Sequence, residues 1–492
     1  MVVGAGIAGL TAAFELAHRG LPVVVVEAGS APGGKMRRLE FGGRSFDAGP
    51  TVLTMRWVLD ELFDGAGLSL DEHVPMRRAA VLARHAWSEG ETLDLHADVA
   101  ATADAIGRFA GAAEARGFLR FSAAAEQTWR VLEPSFIRDQ RPNVASLAWR
   151  VGVRRPGDLL AIRPFETLWN ALGRYFRDPR LRQLFARYAT YCGSSPFRAP
   201  ATLMLVAHAE QRGVWLVDDG LYRIAEALER IARSMGAEFR YGVRALEIGV
   251  GARGVRGVHL SDGSVQPAAA VIVNADVAAV AGGRLGSGLA PLARGADRAP
   301  RSLSAVTWLL AARTSGFPLL RHNVFFSRDY RAEFDALFDR GVVADDPTTY
   351  VCAQDRGCAT SVEPRSSSAA ERMLCLVNAP ADGDRASPRC ADREALERIV
   401  FTALARRGLH VEHLDVQRRI TTPDEFAREY PGTGGALYGA ATHGWRSSFR
   451  RPAAGGAIRG AYLAGGSAHP GPGVPMAVLS ARLAVRRLLA ER

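Results

Sequence analysis

The sequence predicts an α/β chain in which a parallel, dinucleotide-binding sheet is interleaved with a mixed-sheet domain and a helical subdomain. Three observations carry this. The glycine run Gly4-Ala5-Gly6-Ile7-Ala8-Gly9 follows the apolar pair Val2-Val3 and opens a helical pattern from about Leu10 to Arg19. A second apolar run, Val23 to Val26, ends on Glu27, 18 residues after Gly9. Near the C-terminus, Ala461 to Ala464 leads through a glycine- and proline-rich turn into a helical pattern from Ala477 to Leu489.

Strand, glycine turn, helix, strand and acid form a Rossmann-type βαβ fingerprint. Gly4 permits the tight turn, Gly6 lets backbone approach a pyrophosphate, and Gly9 lets the helix pack closely on the sheet. The helix N-terminus offers unpaired N–H groups and partial positive charge to phosphates. Glu27 can accept hydrogen bonds from both ribose hydroxyls. The chain also holds a decoy, Gly249-Val250-Gly251-Ala252-Arg253-Gly254. Strand patterns flank it on both sides and no helix follows, so a hairpin is expected there rather than a second nucleotide site.

Beyond the first unit, strands are expected from Ala79 to His96 and helices over much of 100–212. An amphipathic helix follows from Leu221 to Met235, then a strand pair, then the buried strand and polar turn Ala270 to Asp276. Residues 300–445 alternate strands and helices. The expected division is 1–70, 213–290 and 455–492 for nucleotide binding, 71–100 and 291–454 for substrate, and 101–212 for the helical subdomain.

The chain has 492 residues, 48% of them apolar, enough for several cores. Five scattered cysteines fit a reducing compartment and no zinc pattern. No signal peptide is expected before the first strand, whose shortness suggests a true start slightly upstream. No apolar run is long enough to span a bilayer. A net charge of +11 points to an anionic partner. Nucleic acid is not expected, because the arginines are spread along the chain without a nucleic-acid motif.

Three further segments carry chemistry. Pro32-Gly33-Gly34-Lys35 can turn amides toward the pyrophosphate, and Lys35, the only lysine against 61 arginines, can add a point charge or be an ordinary loop residue. Asp47-Ala48-Gly49-Pro50-Thr51 can pack backbone on a flat ring or be a plain turn. The segment Gly465 to Met476 presents a second helix N-terminus, with Pro475 suited to its first turn. Beside a flavin that dipole favours negative charge at the ring's N1–C2=O edge. A glycine fingerprint at one end and this helix at the other predict FAD rather than NAD. His469, in the same turn, can act in proton transfer or shape the loop. No metal site is expected.

The ensemble of Gly4 to Gly9, Glu27, Pro32-Gly33-Gly34, Asp47 to Thr54 and His469-Pro470-Gly471 resembles the phytoene desaturase-type carotenoid desaturases. The likeness runs through Ala199-Pro200-Ala201, Gly213-Val214-Trp215 and Phe325 to Tyr330, and so covers essentially the whole chain. Met55 to Val58, Arg187 to Phe197 and Tyr350 to Arg356 look most like the branch acting on 1-hydroxylated acyclic carotenoids. Lys35 departs from the arginine of many relatives. The resemblance implies the fold of the flavin amine oxidase and glutathione reductase superfamily. The expected FAD shell is Gly4, Gly6, Ile7, Ala8, Gly9, Glu27, Ala28, Gly33, Gly34, Lys35, Gly49, Pro50, Thr51, Val243, Asn274, Ala275, Asp276, Gly466, Gly473, Val474 and Met476.

The resemblance also implies the chemistry. A C3–C4 single bond beside a polyene loses a hydride to flavin and a proton from the neighbouring carbon, giving the 3,4 double bond on the way to spheroidene or spirilloxanthin. Conjugation stabilises the developing cation, so alignment is the protein's main task. Without a second nucleotide fingerprint, oxygen or a membrane quinone is the expected electron acceptor. A carotenoid lies in the bilayer, so the chain is expected at the cytoplasmic face of the inner or intracytoplasmic membrane. From Trp149 to Phe185, aromatic and aliphatic residues interleave with Arg150, Arg154, Arg155, Arg163 and Arg174, which suits docking on anionic lipid or an ordinary core-facing helix. Tyr191, Ser194 and His208 are candidates to meet a substrate hydroxyl, against core or turn roles for each. The alternatives are a phytoene or neurosporene desaturase, a carotenoid oxygenase, a flavin amine oxidase, and a flavin-free isoprenoid-binding escort.

Overall fold

The computed structural model describes residues 1–88, 90–140, 162–163, 165–357, 370–386, 390 and 392–492, apart from the side chains of 413–417. A five-stranded, wholly parallel sheet forms one layer. Its order is Ala461–Leu463, Val271–Val273, Val2–Val3, Val24–Val26 and Glu238–Arg240. The central strands are runs of valine and isoleucine because both faces are covered, leaving no polar side to alternate with. Helices cover one face, and the antiparallel strands Ala245–Gly251 and Gly254–Leu260 with the short helix Val277–Ala281 cover the other. Helices Ile7–His18, Tyr222–Ser234 and Val474–Ala490 share one core with this sheet.

Both helices that follow glycine turns start three residues before their expected positions. Gly6 is the N-cap of the first, and its carbonyl accepts the Leu10 amide at 2.9 Å. Gly473 caps the last at φ +118°, and Pro475 fits its first turn, where no intrahelical amide is required. The decoy glycines lie in antiparallel strands Ala245–Gly251 and Gly254–Leu260, with Gly251 opposite Gly254. No helix N-terminus meets that turn.

The second layer is a seven-stranded mixed sheet, in the order Leu409–Thr421, Ser304–Gly316, Glu371–Ala379, Thr349–Ala353, His322–Phe325, Val81–Ala86 and Thr92–His96. Side chains alternate between its faces. Val306, Trp308, Leu310, Val351, Met373 and Cys375 pack toward helix Arg393–Ala405. Leu309, Ala311, Cys352 and Leu374 pack toward Phe46. Val324 and Tyr350 meet the helical subdomain.

That subdomain includes helices Val99–Ala110, Ala112–Leu132, Pro179–Ala186 and Leu205–Gln211. Its core holds Phe118, Phe121, Phe176 and Phe185, with the Phe176 and Phe185 rings stacked at 4.8 Å. Truncating one such ring to alanine costs about 3–5 kcal/mol. Among the described residues, no helix is long and apolar enough to cross a membrane.

Candidate active site

Gly4, Glu27, Asn274 and Ala464 each follow directly on a parallel strand, which sets them along the carboxyl edge where open α/β sheets bind ligands. Asn274 joins this edge together. Its Oδ1 accepts the Gly9 amide at 3.0 Å, and its Nδ2 donates to the Ala464 carbonyl at 3.0 Å. The glycines admit no side chain here. A Cβ on Gly6 would lie 2.6 Å from Asn274 Oδ1, and one on Gly9 would lie 1.9 Å from the Gly4 carbonyl oxygen. Ile7 and Ala8 form the first helical turn, whose amides have no intrahelical partner.

The Pro32–Lys35 loop closes against this turn. Gly33 donates to the Ala5 carbonyl at 2.8 Å, and a Cβ on Gly34 would stand 3.1 Å from Gly6 Cα. Gly49 is packed so closely on Lys35 that a Cβ would meet the Lys35 carbonyl oxygen at 2.2 Å. The Lys35 ammonium points at protein carbonyls, donating to Leu437 at 2.9 Å and to Ala436 at 3.3 Å. Burial lowers its pKa, and the Asp276 carboxylate opposes that shift. Asp276 also caps helix Val277–Ala281, accepting the Ala278 amide at 2.9 Å, with Ala275 just before it.

Glu27 lines a cleft of about 370 Å³ with Ala28, Gly29, Arg38, Tyr222 and Arg244. Its carboxylate accepts the Ala5 and Gly29 amides, each at 2.7 Å, which fixes it at the cleft wall. Val243 donates to the Glu27 carbonyl at 3.0 Å, so the cleft's far side is tied to the same strand end.

In the C-terminal turn, buried Arg451 binds the carbonyls of Gly466 at 3.2 Å, Tyr438 at 3.2 Å and Ala440 at 3.0 Å. Val474 and Met476 pack at the rim of the core shared by the first and last helices. His469 is 2% exposed, with Nε2 at 3.0 Å from the Asp139 carbonyl and its ring edge-on to Phe136 at 5.2 Å. Burial pushes its pKa down to about 4, against a smaller opposing effect of the Asp139 carbonyl. It is therefore neutral near pH 7.

On the substrate side, Thr51 Oγ1 meets the Tyr350 hydroxyl at 2.7 Å. Tyr188 and Tyr191 donate to the two oxygens of Glu210 at 2.5 and 2.6 Å, with Arg187 beside them. Ser194 is bound within its own turn and to the Thr442 amide, and His208 lies against Trp129. The roles of Arg187, Glu210, Tyr350 and Arg451 were not legible in the sequence. Nothing in their spacing sets them apart from the many other arginines, acids and tyrosines. Trp149, Arg150, Arg154 and Arg155 lie outside the described residues. Within the same stretch Leu168, Phe176 and Phe185 are core, because apolar residues at helical spacing pack inward, while Phe165 is 78% exposed against Trp445.

This arrangement fits FAD: a side-chain-free turn at a helix N-terminus for a diphosphate, an acid at a cleft for a ribose, and a second helix N-terminus farther along the edge. Residues 7–489 match the family described as "Flavin containing amine oxidoreductase". The chain is 49% identical over 492 residues to a hydroxyneurosporene desaturase of Rubrivivax gelatinosus, covering 100% of this chain and 93% of that protein. It is 41% identical over 491 residues to one of Cereibacter sphaeroides, covering 100% and 97%. A 1-hydroxycarotenoid 3,4-desaturase of Flavobacterium sp. is 28% identical, with 98% and 97% covered. The solved structure of a putrescine oxidase bound to putrescine shares the fold at a TM-score of 0.61 and 14% identity, covering 99% and 98%. The chain belongs to the flavin-containing amine oxidoreductase family, alongside the hydroxyneurosporene desaturases, and is an FAD-dependent oxidoreductase.

Proposed function

We propose that this flavoenzyme introduces the 3,4 double bond into acyclic 1-hydroxylated carotenoids of the 1-hydroxyneurosporene or 1-hydroxylycopene type. The observation that carries this reading is the 49% identity, across the whole chain, to a hydroxyneurosporene desaturase. Gly4, Gly6, Gly9, Gly33 and Gly34 would cradle the diphosphate of FAD, and Glu27 would bind its ribose. Gly49 to Thr51 and Gly473 to Met476 would flank the ring. Bound FAD supplies a two-electron acceptor for the hydrogen that leaves as hydride.

The chain's own residues align the substrate and exclude water. The apolar sheet face around Val324, Cys352 and Leu374, which packs on the helical subdomain and Phe46, would be the wall against which a rigid polyene lies. Conjugation spreads the charge that develops on the polyene, so fixed geometry matters more than a strong base. The hairpin at residues 249–254 leaves no second dinucleotide site at that motif, which supports oxygen or a quinone as acceptor. The net charge of +11 and the exposed Phe165 support docking on an anionic membrane surface.

The test is turnover by the purified flavoprotein of 1-hydroxyneurosporene and of phytoene, followed by the absorbance shift of the lengthened polyene. Selective conversion of the hydroxylated substrate is expected. Equal or preferred conversion of phytoene defeats the reading.

A further inference from the structure

The strand registers place three polar side chains on the sheet face that meets the helical subdomain. Tyr350 and His85 both pair with Val324, and His322 lies two residues before Val324 on the same strand, opposite Cys352. All three therefore share one face. The Tyr350 hydroxyl bridges Thr51 Oγ1 at 2.7 Å and His322 Nδ1 at 2.7 Å. This relay ends on His322 Nε2, a buried ring nitrogen without a hydrogen-bond partner. His322 itself is 2% exposed.

Arg187 supplies a second orphan. Its Nε is buried and has no partner, although its guanidinium packs over the Tyr191 ring at 5.3 Å. The Tyr188 and Tyr191 hydroxyls occupy both Glu210 oxygens. The charge of Arg187 reaches both His85 and His322, adding to the burial that keeps each ring neutral. Buried polar groups are nearly always paired in native proteins. Here His322 Nε2 and Arg187 Nε stand unpaired within electrostatic reach of each other, among Val324, Tyr188 and other apolar and aromatic groups. His85 Nε2 and the Tyr330 hydroxyl are also unpaired within reach of the same guanidinium. Of these, His322 alone is tied through Tyr350 to Thr51. The chemistry of His322 and Arg187 matches one hydroxyl, which can donate one hydrogen bond and accept another.

We propose that His322 Nε2 and Arg187 Nε bind the 1-hydroxyl of the acyclic carotenoid, and that Thr51 and Tyr350 act as positioning residues which set the His322 ring. With Nδ1–H donating to Tyr350, Nε2 accepts the substrate's hydroxyl proton while Arg187 donates to its oxygen. The inference rests on the functional reading above. One methylene separates the hydroxyl-bearing carbon from C3, so whatever reads the hydroxyl must lie beside the reacting bond. The relay begins at Thr51, in the loop that would flank the flavin ring. A site built around such a hydrogen bond can reject the analogue lacking it by roughly 10⁴-fold.

The experiment compares kcat/KM for an acyclic 1-hydroxycarotenoid and for its analogue without the hydroxyl, in flavin-loaded wild type, His322→Leu and Tyr350→Phe. The ratio between the two substrates is expected to fall by roughly 100-fold in His322→Leu and about tenfold in Tyr350→Phe. Equal losses on both substrates, leaving the ratio unchanged, mean that these residues only support the fold, and overturn the proposal. Tyr350→Phe removes a single oxygen and decides the matter if His322→Leu does not retain flavin. Wild type that converts the unhydroxylated analogue equally well defeats the functional reading itself, an outcome visible before any variant is made.

Discussion

Asn274 holds the Gly9 amide on its Oδ1 while its Nδ2 binds the Ala464 carbonyl, so one side chain ties the N-terminal glycine turn to the C-terminal strand. Neither contact replaces the other. Asn274→Asp keeps the acceptor, loses the donor, and sets a carboxylate beside the helix N-terminus that would bind a diphosphate. We expect the Ala464 contact to be lost at about 1–3 kcal/mol and FAD affinity to drop at least about tenfold. Thermal melting and flavin titration measure the two effects separately. Unchanged flavin affinity would remove Asn274 from the cofactor site.

The two glycine motifs give a matched pair of substitutions. In Gly9→Ala the new methyl would lie 1.9 Å from a backbone oxygen, which cannot swing aside as a flexible side chain would. A loss of about 1–3 kcal/mol together with loss of flavin is expected. In Gly249→Ala the nearest neighbour is the Gly257 carbonyl oxygen at 3.7 Å, an ordinary contact. That variant should melt within about 0.5 kcal/mol of wild type and remain yellow. Loss of flavin from Gly249→Ala alone would reverse the assignment of the two motifs.

His469 is testable by pH. Burial, more than any nearby charge, holds its folded pKa at about 4, below the ordinary 6.5. Between those values the unfolded chain binds the extra proton, so stability falls as pH drops through that window. The loss amounts to about 3 kcal/mol by pH 4. His469→Gln has no such proton to take up, so its melting temperature should fall less steeply than wild type from pH 6.5 to 4. A ring kept neutral on the Asp139 carbonyl shapes the turn, and flavin-loaded His469→Gln should keep its rate at pH 7 within about tenfold. A fall of about 10³ or more would instead make it the proton-transfer group.

These substitutions also mark how far the sequence could be read. Gly4 to Gly9, Glu27 and the final helix were legible because each is a local pattern: a residue type at fixed spacing from a strand or a helix start. The decoy at Gly249 was separable for the same reason, since its flanks alternate like strands. The relay from Thr51 through Tyr350 to His322 was not legible. It joins residues about 300 positions apart, and only the register of the seven-stranded sheet puts His322 and Tyr350 on one face. Lys35 shows the limit of composition as a signal. Its rarity admits either a phosphate charge or an ordinary loop lysine, and no local pattern announces that its ammonium binds the carbonyls of Ala436 and Leu437, some 400 residues away.

Membrane docking is open to a direct measurement. Phe165 is 78% exposed and lies edge-on to Trp445 at 5.2 Å, and Arg446 packs over the indole at 4.7 Å. An exposed Phe165 beside the half-buried Trp445 indole and an adjacent cation suits the headgroup region of anionic lipid. Replacing Phe165 and Trp445 by serine removes apolar area that would insert there, and should lower partitioning onto phosphatidylserine-containing vesicles about tenfold or more. Replacing Arg154 and Arg155 by glutamate should weaken binding by about 1 kcal/mol per arginine removed, an effect that shrinks at high salt. Flotation with anionic and with neutral vesicles separates the two contributions. Wild-type flotation that neither set of substitutions alters would place the docking surface elsewhere on the protein.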